Sequence, residues 1–313
     1  MFNFLFQRNR LLFFISLSLL AACNTTDKSS MEIEIPANSI RITTQAMDFQ
    51  MPDSIPSGWN TFYYANNSGE THFFVLEKYP EGKTIADGEK EVLPVFQEGM
   101  NYINASKMDS AMAAFGKLPE WFSKVVFMGG SGLVSPGMTS LTTLNLDPGY
   151  YVAECYVKAS NGVFHSVMGM VKAVVVTETS SGNPLPKSDF QISISAEKGI
   201  SIPDTIQEGV KTIATYFEDQ KVHENFVGHD IHLVQLSDSS DIDELEKWMN
   251  WAEPEGLKTP APKGVTFLGG MNDLPAGAIG YFTVAFKPGK YAFIAEVPNS
   301  LSKRMLKQFE IKE

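Results

Sequence analysis

Six runs in the first half of the chain are dominated by apolar positions with few charges: ITTQAMDFQM (42–51), WNTFYYAN (59–66), THFFVLEKY (71–79), LTTLNL (141–146), GYYVAECYV (149–157) and VKAVVVT (171–177). Each is short, rich in β-branched and aromatic residues, and bounded by turn residues. Branched and aromatic side chains suit a pleated strand, so each run predicts a strand that contributes to a core. Together they predict an all-β sandwich. Two stretches have another texture. VLPVFQEGMNYI and DSAMAAFGKL within 86–122, and DIDELEKWMNWA at 241–252, carry apolar residues at helical spacing. They predict short amphipathic helices over one end of each sandwich.

The pattern occurs twice. MPDSIPSG (51–58) returns as IPDTIQEG (202–209), THFFVL (71–76) as IHLVQL (231–236), and VVFMGG (125–130) as VTFLGG (265–270). SPGMTSLTTLNLDPGYYVAECYV then aligns with PAGAIGYFTVAFKPGKYAFIAEV without a gap. Two copies of one module are expected: tandem Greek-key β-sandwiches at 40–177 and 190–313. Residues 178–189, rich in Ser, Gly and Pro, form the linker between them. The paired glycines at 129–130 and 269–270 recur in both copies and are expected to make turns.

The N-terminus is read apart from the fold. Arg8 and Arg10, then LLFFISLSLLAA, have the layout of an export signal over 1–22. LAAC at Leu20–Cys23 resembles a bacterial lipobox, which implies lipidation of Cys23, a tether over 23–39 and a membrane anchored location in the cell envelope. Asn24 after the cysteine resembles the outer-membrane sorting pattern. The chain has 25 basic and 36 acidic side chains; without the two signal arginines it has 23 against 36, a formal charge of −13. Such an acidic surface excludes nucleic acid as a partner class. It suits a basic partner instead.

The candidate chemistry lies in the first copy. With Cys23 taken by lipid, Cys155 has no disulfide partner in the chain, which leaves a reactive thiol, a ligand or a buried structural thiol. His72 opens a predicted strand after the turn-prone NNSGET, while Cys155 ends another and His165 and Met170 lie on the loop before the last strand. A sandwich can bring these to one end. Two imidazoles, a thiolate and a thioether are the donor set of a trigonal blue-copper site with a weak axial sulfur. Met168 competes with Met170 for the axial place but is expected to pack. In the second copy Ala295 aligns with Cys155, and only His232 retains a counterpart, so no copper is expected there. His223, His229 and His232 are a weaker candidate cluster.

These motifs resemble the plastocyanin-like cupredoxins. NNSGETH (66–72) is similar to the segment that supplies the first histidine, and Cys155, His165 and the Gly-Met pair at 169–170 are similar to the Cys–loop–His–x₄–Met signature. The resemblance covers most of residues 40–177. It implies His72, Cys155 and His165 as equatorial ligands, Met170 as axial ligand, and Asn67 as a backbone tie near the cysteine. The nine residues between Cys155 and His165 depart from the two of plastocyanin and approach the longer loop of copper nitrite reductases. The expected cofactor is one type 1 copper, and the expected function is one-electron transfer with a redox protein such as a cytochrome c. Copper binding without redox turnover, and a metal-free binding module, are the alternatives. Cys155 is flanked by Glu154 and Tyr156 rather than by histidines, only five histidines are present, and no hydrolase or nucleotide-binding motif is found. The chain is therefore expected not to be an enzyme.

Overall fold

The computed structural model describes residue 1 and residues 31–312; the expected signal and Cys23 otherwise lie outside the described residues. Residues 31–313 make one compact unit. The fold is an all-β sandwich with short helices. Its N-terminal half contains β1 (Ile40–Thr44), β2 (Ser54–Asn66), β3 (Val75–Lys78), α1 (Ile85–Glu91), α2 (Leu93–Asn104), α3 (Met108–Phe115), β4 (Val126–Gly130), β5 (Thr139–Leu146), β6 (Gly149–Glu154) and β7 (Val171–Ser180). The C-terminal half contains β8 (Phe190–Ser195), β9 (Gly199–Ser201), β10 (Gly209–Phe217), β11 (Ile231–Leu236), α4 (Ile242–Trp248), β12 (Val265–Met271), β13 (Ile279–Phe286), β14 (Gly289–Ile294) and β15 (Leu306–Ile311). Among the described residues no helix is long and apolar enough to cross a membrane.

Strand β2 organises the first half. It runs parallel to β7 through Ser54–Ser57 and antiparallel to β5 through Gly58–Ala65. Gly58, at φ 84°, stands where the pairing changes, a backbone region open to glycine. Further along β2 the alternation puts Phe62, Tyr64 and Asn66 inside, and Phe74 packs against both Phe62 and Tyr64, with ring centroids 5.5 and 5.7 Å apart. Burying such a side chain contributes about 1.5–3 kcal/mol. The strand order is β4-β3-β6-β7-β2-β5-β13-β10-β8-β9, with β1 also on β2; β12-β11-β14-β15 form a separate sheet. One sheet is therefore continuous from the first half into the second through β5 and β13, which pair at Leu141–Thr283, Thr142–Phe282 and Thr143–Tyr281.

Three local expectations are corrected. The glycine pairs are not turns: they lie in β4 and β12, at bulges where the pairing with β3 and β11 shifts register. A Cβ on Gly130 would stand 1.8 Å from the Phe74 carbonyl oxygen, so only glycine lets the strands approach. The strand expected to open at His72 starts at Val75, because His72 makes only a bridge with Val134. Strand β7 runs to Ser180, three residues into the expected linker.

The helices are short. Asp241 caps α4 by accepting the Asp243 and Glu244 amides at 2.9 and 3.1 Å. In α2, Gly99 faces Phe115 of α3 so closely that a Cβ would meet the ring at 2.2 Å. The two helices thereby seat close together beside the strand ends that carry the candidate residues.

Candidate metal centre

Cys155 directly follows β6, and its amide donates to the Met170 carbonyl at 3.2 Å. The loop that follows folds back on itself: the His165 amide donates to Val157 O at 2.8 Å and the Met170 amide to His165 O at 2.9 Å. Those bonds return His165 and Met170 to the end of the sandwich where Cys155 stands. His72 is fixed from the other side by paired bonds with Val134, N–H to O at 3.1 Å and O from N–H at 2.7 Å.

Asn66 holds the turn before His72. Its Nδ2 donates to Glu70 O and to Val134 O, both at 2.8 Å, and its Oδ1 accepts from the Ser68 amide at 3.1 Å and the Ser68 hydroxyl at 2.7 Å. The tie expected at Asn67 is corrected: Asn67 is exposed and contributes its backbone amide to Thr44 O, while its neighbour makes the side-chain bonds. The alternation along β2 already pointed Asn66 inward.

The sulfur and the two imidazoles face one another. Cys155 Sγ lies 3.7 Å from His72 Nδ1 and 3.8 Å from His165 Nδ1, and the two nitrogens are 3.0 Å apart. All three residues are fully buried. Bond lengths of about 2.0–2.1 Å to imidazole and about 2.3 Å to thiolate, typical of a divalent first-row ion, separate N from S by about 3.8 Å in a trigonal plane. The three donor atoms match that spacing, and the shorter N–N distance corresponds to a narrower angle between the imidazoles. The cluster fits a metal site. Met170 is fully buried beside it, whereas Met168, expected to pack, is exposed.

Electrostatics explains what the cluster lacks without a cation. Burial pushes the Cys155 thiol up to about 12, although backbone hydrogen bonds from Phe73 and Val157 oppose the shift. Burial lowers His72 to about 4; burial, then the neighbouring His72, lowers His165 to about 3. The set is thus one neutral thiol and two neutral imidazoles, whose lone pairs have no positive partner. A bound ion would displace the thiol proton. Glu70 Oε2 comes within 2.8 Å of His165 Nε2, without the alignment of a hydrogen bond, and this carboxylate favours the proton on Nε2 and the lone pair on Nδ1. His72 Nε2 has no partner.

The C-terminal half keeps the backbone frame and loses the thiol and one imidazole. The Ala295 amide donates to Met305 O at 2.9 Å and the Met305 amide to Ser300 O at 2.7 Å, repeating the bonds of Cys155, Met170 and His165. Alanine and serine therefore stand in place of the thiol and the second imidazole. His232 Nδ1 accepts the Leu133 amide at 2.9 Å while Nε2 lies 2.5 Å from Asp230 Oδ2. With Nδ1 accepting and Nε2 donating to the carboxylate, that ring has no free lone pair for a metal. His223 and His229 meet at 2.9 Å, but His232 is committed elsewhere, so the three histidines do not make one site.

No family model and no curated protein matches the chain. Among solved structures it is similar to auracyanin from Roseiflexus castenholzii, at 19% identity over 45% of this chain and 98% of that one, with TM-score 0.28. It is also similar to the copper-containing nitrite reductase of Thermus scotoductus, at 13% identity over 88% of this chain and 61% of that one, with TM-score 0.22. A blue copper oxidase from Nitrosomonas europaea aligns at 14% identity over 82% of this chain and 78% of that one, with TM-score 0.22. The last two extend along most of the chain and are enzymes, and the expectation that this chain is not an enzyme is withdrawn on that finding.

Proposed function

We propose that His72, Cys155 and His165 would hold one copper ion, with the Met170 thioether available as a further donor, and that the protein performs one-electron transfer at this centre. The observation behind the reading is the convergence of the three donor atoms at 3.7, 3.8 and 3.0 Å in a fully buried site. Copper supplies a one-electron couple, because sulfur suits its reduced state and imidazole its oxidised state. The protein's part is rigidity. Backbone bonds from Val134, Val157 and Met170 hold the donors in place, so little has to move when the charge changes. The Nε2 edge of His165 is covered by Glu70, whose side chain is 31% exposed, and this edge is a route from the site to the surface in this reading.

The first half, through the end of β7, carries the metal in this reading, and the half from 190 to 313 docks or stabilises it across residues 181–189. A lipid on Cys23 tethers the protein in the cell envelope, at the outer membrane. The formal charge of −11 favours a basic redox partner such as a cytochrome c.

The test is a visible absorption spectrum of the chain lacking residues 1–22 after one equivalent of Cu(II). An intense thiolate-to-copper band in the red, absent in Cys155→Ser, is expected. A colourless protein whose thiol titrates freely would sink the reading. Assays with nitrite and dioxygen as acceptors then decide whether electrons reach a small molecule or a protein.

A further inference from the structure

A cavity of about 310 Å³ lies between the two halves, and its lining includes Glu154, Tyr156, Phe164 and Ser166, the chain neighbours of Cys155 and His165. Its volume is at the lower end of the roughly 300–1,000 Å³ usual for small-molecule sites, which occur preferentially where domains meet. On one side are α2, β4 and the segment around Phe164; on the other are residues 220–228, Trp251 and 273–275. Val126, Val222 and Phe226 are exposed large apolar residues at its mouth.

Two features of the lining define the ligand. The first is aromatic: Trp251 lies 6.0 Å from both Phe96 and Phe164, and Phe96 lies 6.5 Å from Phe226, centroid to centroid. The second is charge. The ionisable carboxyls of the lining are Glu77, Glu154 and Asp273, and among the described residues no lysine, arginine or histidine lines the cavity. Glu77 and Glu154 share a face, since Glu77 pairs with Val152 and Val75 with Glu154 across β3 and β6.

Glu77 also points to a missing partner. It is 3% exposed and its carboxyl meets that of Glu154, while its Oε2 has no N–H or hydroxyl donor among the described residues although it lines the cavity. Such an atom is costly to leave unmatched, by about 1–3 kcal/mol. Burial raises Glu77 and Asp273 well above the ordinary carboxylate range, a shift that an ammonium ion beside them would oppose.

An anion finds no cationic side chain in this lining, and a neutral hydrocarbon would leave the Glu77 Oε2 unmatched. Aromatic faces attract cations through their quadrupole. We propose that this cavity binds an organic ammonium ion: a primary amine on a small aromatic or alkyl body, its nitrogen at Glu77 and its body among Phe96, Phe164, Phe226 and Trp251. Binding of this ion requires no metal.

Isothermal titration of the full chain without added metal, using 2-phenylethylammonium, neutral 2-phenylethanol and anionic phenylacetate as probes, tests this. The ammonium probe is expected to bind at one site, the alcohol about tenfold or more weakly, and the acid not at all. Glu77→Gln is expected to weaken the ammonium by about tenfold and to narrow its advantage over the alcohol. Glu310→Gln, far away on β15, is the control and leaves binding unchanged. Equal binding of alcohol and ammonium, no heat with the ammonium at millimolar concentration, or an unchanged affinity in Glu77→Gln each overturns the proposal. Should Glu77→Gln not fold, the comparison of the three probes on the unaltered chain still decides it.

Discussion

Asn66 shows how much depends on a single side chain. Its four hydrogen bonds fix the turn that presents His72, and it is fully buried. Asn66→Ala is expected to cost about 2–3 kcal/mol, because the Val134 and Glu70 carbonyls lose a donor that water cannot replace. Asn67→Ala, on the exposed side, is expected to stay within about 0.5 kcal/mol. Urea denaturation of both variants checks the contrast; an equal loss at the two positions would mean that the turn is held by its backbone alone. The dipeptide Asn-Asn announces a turn but does not say which residue faces inward. The parity of Phe62 and Tyr64 does, so this signal was readable. Glu70 beside His165 was not, since nothing in the spacing places a carboxylate against that ring.

At the level of elements, the recurring glycine pairs are strand features whose sequence looks like a turn. Gly130 meets the Phe74 carbonyl where a Cβ would stand, whereas Gly137, at φ 73°, has open space around it. Gly130→Ala is expected to lose about 3 kcal/mol or more, since the β3–β4 pairing must open. Gly137→Ala is expected to cost about 1 kcal/mol, from its backbone conformation alone. Thermal melts that ranked the two in the opposite order would contradict the bulge. Strand identity followed from the branched and aromatic runs, and helix identity from periodicity. The bulges did not, because they depend on how near the neighbouring strand comes.

The whole molecule is set by contacts between the halves. Beyond the continuous sheet through β5 and β13, Lys158 is fully buried, and its Nζ donates to Trp251 O at 2.8 Å and Glu253 O at 2.7 Å. The carbonyls favour the ammonium, but burial outweighs them and lowers the group from 10.5 to about 7. In the unfolded chain Lys158 keeps its proton to about pH 10.4, so the folded state binds fewer protons between those values. Its contribution to stability is therefore greatest above the unfolded value and is lost as pH falls through about 7. Between about pH 7 and about pH 9.5 the unaltered chain is expected to gain stability relative to Lys158→Met, measured as the difference in urea midpoints. No gain would show that the lysine stays charged at the interface.

The sequence by itself determined what depends on near neighbours: the strands from branched and aromatic runs, the short helices from their period, the acidic surface, and the residue types fit for a metal. Only the tertiary structure decided which of them meet. His72 and Cys155 are 83 residues apart and His72 and His165 are 93 apart, and their donor atoms face one another because β6 and the folded loop end at the turn held by Asn66. The β5–β13 seam, the lysine between the halves and the acidic aromatic cavity left no periodic trace. Each is made by surfaces far apart along the chain, where packing and the cost of unpaired polar groups, rather than local propensity, set the outcome.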